Sequence, residues 1–330
     1  MYLDFYGLRE SAFELTPDPR FLYLTAAHGE ALANLKYGLS TAKAVTVLTG
    51  EAGTGKTTII RTALASDACA RVRCMHLTNP QLTRNEFIET LARGFLMSSA
   101  AATSKATMLD ELERMLLERR SQGEVMALVV DEAQRMSDEL LEEVRLLANI
   151  ETPTAKLLPL VLAGQPELAD RLNENSLRQL KQRVALRCDL PSLTLAETAA
   201  YIAFRIRTAG GEAARLFTRE AVAMIHESAK GIPRVVSVIC DNALLSGFAL
   251  GRKPVGSDVV AEVIRDFDIA GRAAAEPPPE AVATTSGLLL VSEPQHVSPA
   301  PLPEPLRPED AGAGMFQTAT RSRRRFSLFR

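Results

Sequence analysis

The chain has 330 residues, 46% of them hydrophobic and 24% charged, with no Trp and a formal net charge of −2. That is an ordinary globular balance, and its near-neutral charge argues against a dedicated nucleic-acid binder, which is more often clearly basic. Cys69, Cys74, Cys188 and Cys240 form no CxxC pair, which disfavours a zinc site. No stretch approaches the ~20 apolar residues of a membrane span, and the first residues lack the layout of a secretory signal, so the expectation is a soluble, cytoplasmic protein.

Residues 1–25, with "FELTPDPRFLYLT", read as a packed, extended lead-in, because Phe13, Phe21, Leu22 and Tyr23 need burial. Thr25 can cap a helix over about 26–40. "AVTVLTG" (44–50) is a short β-branched run and predicts a buried strand. A helix follows Gly55, then a strand over 71–77. Thr83 and Glu86 form a T-x-x-E capping box that opens a helix to about 96. Residues 107–120 place Met108, Leu109, Leu112, Met115 and Leu116 on one helical face. A strand over 125–131, a helix over 138–149 and strands over 156–164 and 183–190 follow, with Pro159 implying a late start to the fourth strand. Alternating strands and helices predict an α/β fold, a parallel five-stranded sheet covered on both faces.

After Pro191 the strands stop. Thr194 and Glu197 make a second capping box, and helices are expected at about 195–208, 219–229, 232–249 and 257–268. The organisation read from this is a nucleotide-binding domain with its lead-in (1–191), a small helical lid (192–271) and a tail (272–330). Nine of the 18 prolines lie in 277–308, and the tail is expected to be disordered. It ends in "RSRRRFSLFR", where five Arg accompany Phe326, Leu328 and Phe329. That end reads as a weak foot on an anionic membrane, a peptide for a partner's groove or a plain solvated terminus.

The chemistry concentrates at "GEAGTGKT" (50–57), which fits G-x-x-x-x-G-K-[ST] between a strand and a helix. Gly50, Glu51, Ala52, Gly53, Thr54 and Gly55 would curl so that backbone N–H groups face the phosphates of ATP. Thr58 continues the helix whose N-terminus adds positive potential. Lys56 would reach the β- and γ-phosphates, and Thr57 would offer its hydroxyl to Mg²⁺. Asp131 ends an apolar strand, and a neighbouring parallel strand would set it beside the loop as a second magnesium ligand. Glu132 would then polarise the attacking water. Charge spreading over the γ-phosphoryl oxygens calls for an arginine. Arg178 and Arg183 precede the fifth strand, and Arg234 opens a lid helix after Pro233.

Together these features resemble an AAA+ ATPase. That resemblance implies a sensor-1 role for Gln165 in "LVLAGQPEL", a finger completing a neighbour's site for Arg183, and a sensor-2 role for Arg234 in "GIPR". The N-terminal "MYLDFYGLRESAFELTPDPRFLYLTAAHGEALANLKYGL", with "LTNPQLTRNEFIETLARGF" and "LVLAGQPELADRL", is similar to the ExeA/GspA secretion ATPases. These are relatives of MSHA-pilus and exosortase- or exopolysaccharide-associated ATPases. The resemblance covers about residues 1–268. It implies an oligomeric cytoplasmic ATPase, peripheral at the inner membrane, that assembles an envelope machine. In ExeA/GspA a transmembrane segment and a peptidoglycan-binding region follow the ATPase domain. Here only the tail follows, so a membrane-embedded secretion or polysaccharide-export partner, met through the tail, is expected. The alternative is a DNA-dependent AAA+ regulator of the transposition type. DNA is the less favoured partner on charge. "DEAQ" does not make a helicase, since no second RecA-like repeat is found in the chain.

Overall fold

The computed structural model describes residues 1–15 and 18–267, all within one compact unit. The expectations for the tail, its basic end included, lie outside the described residues.

Among the described residues, seven strands occur in the order β1 (Val45–Gly50), β2 (Val72–Leu77), β3 (Val125–Val130), β4 (Glu151–Thr152), β5 (Ala155–Lys156), β6 (Leu160–Gly164) and β7 (Val184–Leu190). Five form one sheet in the order β2-β3-β6-β1-β7, all parallel. β4 and β5 are a separate antiparallel hairpin that the sequence pattern did not signal. The late start at Pro159 holds, with β6 beginning at Leu160.

The strands alternate between two apolar layers, as a pleated sheet covered on both faces must. Val45, Val47, Leu128, Val130, Leu160 and Leu162 face one layer. Leu48, Ala127, Val129, Val161 and Ala163 face the other. The first layer is closed by α4 (Arg84–Gly94), α6 (Lys105–Ser121) and α7 (Asp138–Leu147), the second by α2 (Ala26–Ser40) and α3 (Lys56–Leu64). Thr83 caps α4 in a complete capping box with Glu86. Between α4 and α6 lies α5 (Ser99–Thr103), a short helix unforeseen in the sequence. Two more short turns, α8 (Glu167–Arg171) and α9 (Arg178–Lys181), join β6 to β7.

The helical region contains α10 (Leu195–Thr208), α11 (Arg219–Ala229), α12 (Pro233–Ala249) and α13 (Ser257–Asp266). Thr194 and Glu197 form the second capping box. Its apolar core includes Ile202, Ile206, Ile225, Val236, Ile239 and Val260, and also Tyr6, Leu8, Phe13 and Phe21. The lead-in, grouped with the nucleotide-binding domain on sequence, therefore packs into the helical cluster. Nor is it wholly extended, because Tyr2–Tyr6 form α1, closed by Gly7 in the left-handed region at φ 74°. Arg205 of α10 holds the lead-in. It donates to the carbonyls of Ala12 (2.6 Å) and Glu14 (2.8 Å) and lies over the rings of Phe13, Phe21 and Tyr201.

Among the described residues, no helix is long and apolar enough to cross a membrane.

Candidate nucleotide-binding site

The register aligns the carboxyl ends of the central strands. Thr49 pairs with Gly164, Gly50 with Leu190, and Val130 with Leu162. The loop after β1, Asp131 after β3 and Gln165 after β6 thus share one edge, where ligands bind in open α/β sheets. One expectation needs correcting. β3 is not the neighbour of β1, because β6 lies between them. The gap is bridged by a side chain: Thr57, in the first turn of α3, donates its hydroxyl to Asp131 Oδ2 at 2.7 Å.

The loop has the backbone that phosphate binding requires. Gly53 and Gly55 sit at φ 88° and 102°, where a side chain is strained. A Cβ on Gly53 would also lie 2.8 Å from Cβ of Arg234. Glu51 supplies a carbonyl that accepts from Thr54 Oγ1 (2.9 Å), Ala52 lies exposed at the tip, and Thr58 carries α3 onward. Lys56 is 5% exposed, and its Nζ donates to the carbonyls of Gly50 (2.7 Å) and Glu51 (3.0 Å). Burial lowers its pKa, opposed by the nearby carboxylates of Glu132, Asp131, Glu51 and Glu167.

Asp131 is 8% exposed and uses both carboxylate oxygens, one for Thr57 and one for the backbone N–H of Glu132 at 3.0 Å. These hard oxygen donors at 2.7 Å fit magnesium, which takes few protein ligands and keeps several waters. Glu132 adopts φ 53°, unusual for a residue with a side chain. Its Oε2 accepts from Gln134 Nε2 at 2.8 Å, and Arg135 Nε is 3.9 Å away. The backbone N–H of Gln165 bonds Gln134 Oε1 at 3.1 Å.

The three arginines part ways. Arg234 is exposed in the first turn of α12, and its backbone N–H donates to the carbonyl of Gly53 at 3.3 Å. The helical region therefore touches the loop through the Arg234 backbone. Arg183 precedes Val184, which pairs with Val45 at the start of β1. At ~3.3 Å per strand residue that is about 20 Å of strand from the loop of its own chain, at the opposite end of β1. It is exposed and lines a polar hollow of about 500 Å³ with Arg145, Gln179 and Gln182. Arg178 is exposed in α9.

Two contributors escaped sequence reasoning. His28 is buried, accepts from or donates to Thr25 Oγ1 through Nδ1 (2.6 Å), and bonds the carbonyl of Thr54 through Nε2 (3.0 Å). A carbonyl only accepts, so Nε2 carries the proton and Nδ1 accepts from Thr25. No motif marks such a histidine; its one signal is the place one turn after the cap Thr25. Gln134 is the other, dismissed as part of a helicase-like string.

Comparison with known proteins finds chains similar to this one. Residues 40–172 match the family described as AAA domain. General secretion pathway protein A of Aeromonas hydrophila is 38% identical over 260 residues, 78% of this chain and 47% of that protein, so the chain spans about half its length. Among solved structures, the Aeropyrum pernix ORC2 protein aligns with TM-score 0.59 at 19% identity, covering 82% of this chain and 74% of that one. Cdc6p of Pyrobaculum aerophilum aligns with TM-score 0.57 at 17% identity, covering 78% and 70%. At those identities the structural likeness establishes the fold alone.

Proposed function

We propose that the chain is an AAA ATPase of the ExeA/GspA type, in line with its similarity to General secretion pathway protein A and the AAA domain family, that it hydrolyses ATP at a site shared between copies, and that it uses the cycle to organise a cell-envelope machine. The observation that carries the reading is the convergence of Thr57 and Asp131 at 2.7 Å beneath the glycine-rich loop, with Glu132 next in sequence. The loop N–H groups and the N-terminus of α3 cradle the phosphates. The Lys56 ammonium exchanges the carbonyls of Gly50 and Glu51 for β- and γ-phosphate oxygens. Thr57 and Asp131 would hold Mg²⁺, which would supply positive charge to offset that of the phosphates. Glu132 orients and polarises the attacking water. Gln165 faces the same edge from β6, and Arg234 brings the helical region to the loop.

Arg183 acts on the site of an adjacent copy. Its distance from its own loop and its exposure beside Arg145 support that assignment. The partner is a secretion, pilus or polysaccharide-export component at the inner membrane, met through residues 272–330, and the protein sits peripherally there.

The test is a steady-state ATPase assay of the purified chain, paired with co-purification from cells carrying the full chain or one lacking 272–330. Magnesium-dependent turnover and tail-dependent capture of an inner-membrane export component are expected. Absence of turnover would overturn the enzymatic reading. Capture of DNA or a transposase instead would overturn the envelope role.

A further inference from the structure

Gln134 sits in the turn Ala133–Arg135 directly after Glu132, and its contacts tie two parts of the site together. Its backbone is clamped: Arg171 Nη1 donates to the carbonyls of Gln134 (2.8 Å) and Met136 (2.5 Å), while Nη2 pairs with Asp138. The side-chain amide is used at both ends. Oε1 accepts from the backbone N–H of Gln165 at 3.1 Å, and Nε2 donates to Glu132 Oε2 at 2.8 Å. A backbone N–H can only donate, so the amide has one orientation and its NH₂ must face Glu132.

The chain makes room for this bridge. A Cβ on Gly164 would lie 2.7 Å from Gln134 Oε1 and 3.0 Å from Leu168 Cδ2, so any larger residue displaces the amide. Glu132 is itself held at φ 53°, with its N–H on Asp131. The neutral Gln134 donor at 2.8 Å fixes one carboxylate oxygen without cancelling its charge, while the Arg135 guanidinium stands off at 3.9 Å from the same oxygen, and the other oxygen is left for water.

We propose that Gln134 is a positioning residue that aims the Glu132 carboxylate at the attacking water and couples it to the end of β6 through the Gln165 amide. This rests on the reading of Glu132 as the water-polarising group. Movement at Gln165 is thereby transmitted to Glu132 through one side chain.

The experiment compares Gln134→Glu, Gln134→Asn, Gly164→Ala and Glu132→Gln in the full chain, by steady-state ATPase, titration with a fluorescent ATP analogue and amide exchange at Gln165. Gln134→Glu keeps the acceptor for Gln165 but sets carboxylate against carboxylate. It is expected to lower kcat about tenfold or more, with nucleotide affinity within about twofold and the Gln165 amide still protected. Gln134→Asn is too short to span both partners, and Gly164→Ala pushes the amide aside. Both are expected to lower kcat similarly and to speed exchange at Gln165 about tenfold. In a Glu132→Gln background, Gln134→Glu is expected to add less than about a twofold loss.

An unchanged or raised kcat in Gln134→Glu overturns the proposal. So does a fall in nucleotide affinity parallel to the fall in kcat, which marks a merely structural residue. Undiminished turnover in Glu132→Gln overturns the reading beneath it. An inactive Glu132→Gln beside an unaffected Gln134→Glu overturns only the role of Gln134.

Discussion

The two ends of the same sheet are built for different purposes. At the carboxyl end, polar side chains hold one another across elements. Lys56 is on the loop carbonyls, Thr57 on Asp131, and Gln134 on both Glu132 and the Gln165 backbone. At the amino end, Arg183 stands exposed in an open hollow, and its neighbour Arg145 is held by Glu142 on the same helix. One end is organised within the chain in advance, which is how electrostatic stabilisation avoids reorganisation during the reaction. The other offers cationic groups to whatever docks there. Under the proposed function, a site completed from outside would make hydrolysis depend on assembly, which would suit a switch better than a free-running enzyme.

The largest expected effect lies at the organised end. Lys56→Ala removes the buried ammonium and is expected to weaken ATP binding by about 100-fold or more, roughly 2.7 kcal/mol. Titration with a fluorescent ATP analogue reads this directly, and normal affinity would remove Lys56 and its loop from nucleotide binding.

The exposed end is tested by mixing. Arg183→Ala is expected to cut turnover by about 10³-fold, the low end for arginines acting on a transferring phosphoryl group, while leaving ATP affinity nearly intact. Glu132→Gln is expected to bind ATP and turn over slowly. Mixed together, the Glu132→Gln copies supply Arg183 and the Arg183→Ala copies supply Glu132, so part of the activity should return. Titration of one variant into the other measures it, and a flat response at every ratio would break the contrast between the two ends.

The same contrast marks what was legible in the sequence. The glycine-rich loop, Asp131–Glu132 and both capping boxes were readable because their chemistry sits in contiguous residues with backbone consequences. The five-stranded parallel sheet was readable from alternating apolar runs. Less legible were features set by long-range register. The insertion of β6 between β1 and β3 depends on how non-local strands pair, and apolar strands such as "LVLAG" and "ALVV" are interchangeable to a pattern. The burial of Phe13 and Phe21 was foreseeable, but not that the helical region would receive them. His28 and Gln134 each reach a distant backbone group, the Thr54 carbonyl and the Gln165 amide, which no local motif encodes.

A smaller effect is expected at His28. His28→Ala leaves the Thr54 carbonyl without its donor, and an unsatisfied buried acceptor costs about 1–3 kcal/mol. Part of that cost falls on the folded chain and part on the loop geometry. ATP affinity is expected to fall several-fold, with a smaller change in kcat for bound nucleotide. Comparing analogue titration with single-turnover rates separates the two, and a loss in kcat alone would mean that His28 does not shape the loop.

The smallest effect tests whether the helical cluster, which carries Arg234 to the organised end, is anchored by the lead-in. Tyr6 is buried in that cluster and donates its hydroxyl to the carbonyl of Arg252 at 3.1 Å. Burial pushes the phenol up to about 12 from 10.0. The folded chain therefore binds the proton more tightly than the unfolded chain does, and stability falls where the unfolded state gives it up first. This contribution is fully present below pH 10 and is lost as pH rises toward 12. Tyr6→Phe is expected to cost about 1 kcal/mol at neutral pH through the lost hydrogen bond, yet to lose less stability than the unsubstituted chain over the alkaline range. Denaturant unfolding across that range checks the difference in slope. Parallel slopes would show that Tyr6 is not the group whose ionisation loosens the cluster, and the lead-in's hold on it would then rest on its apolar side chains and the Arg205 clamp.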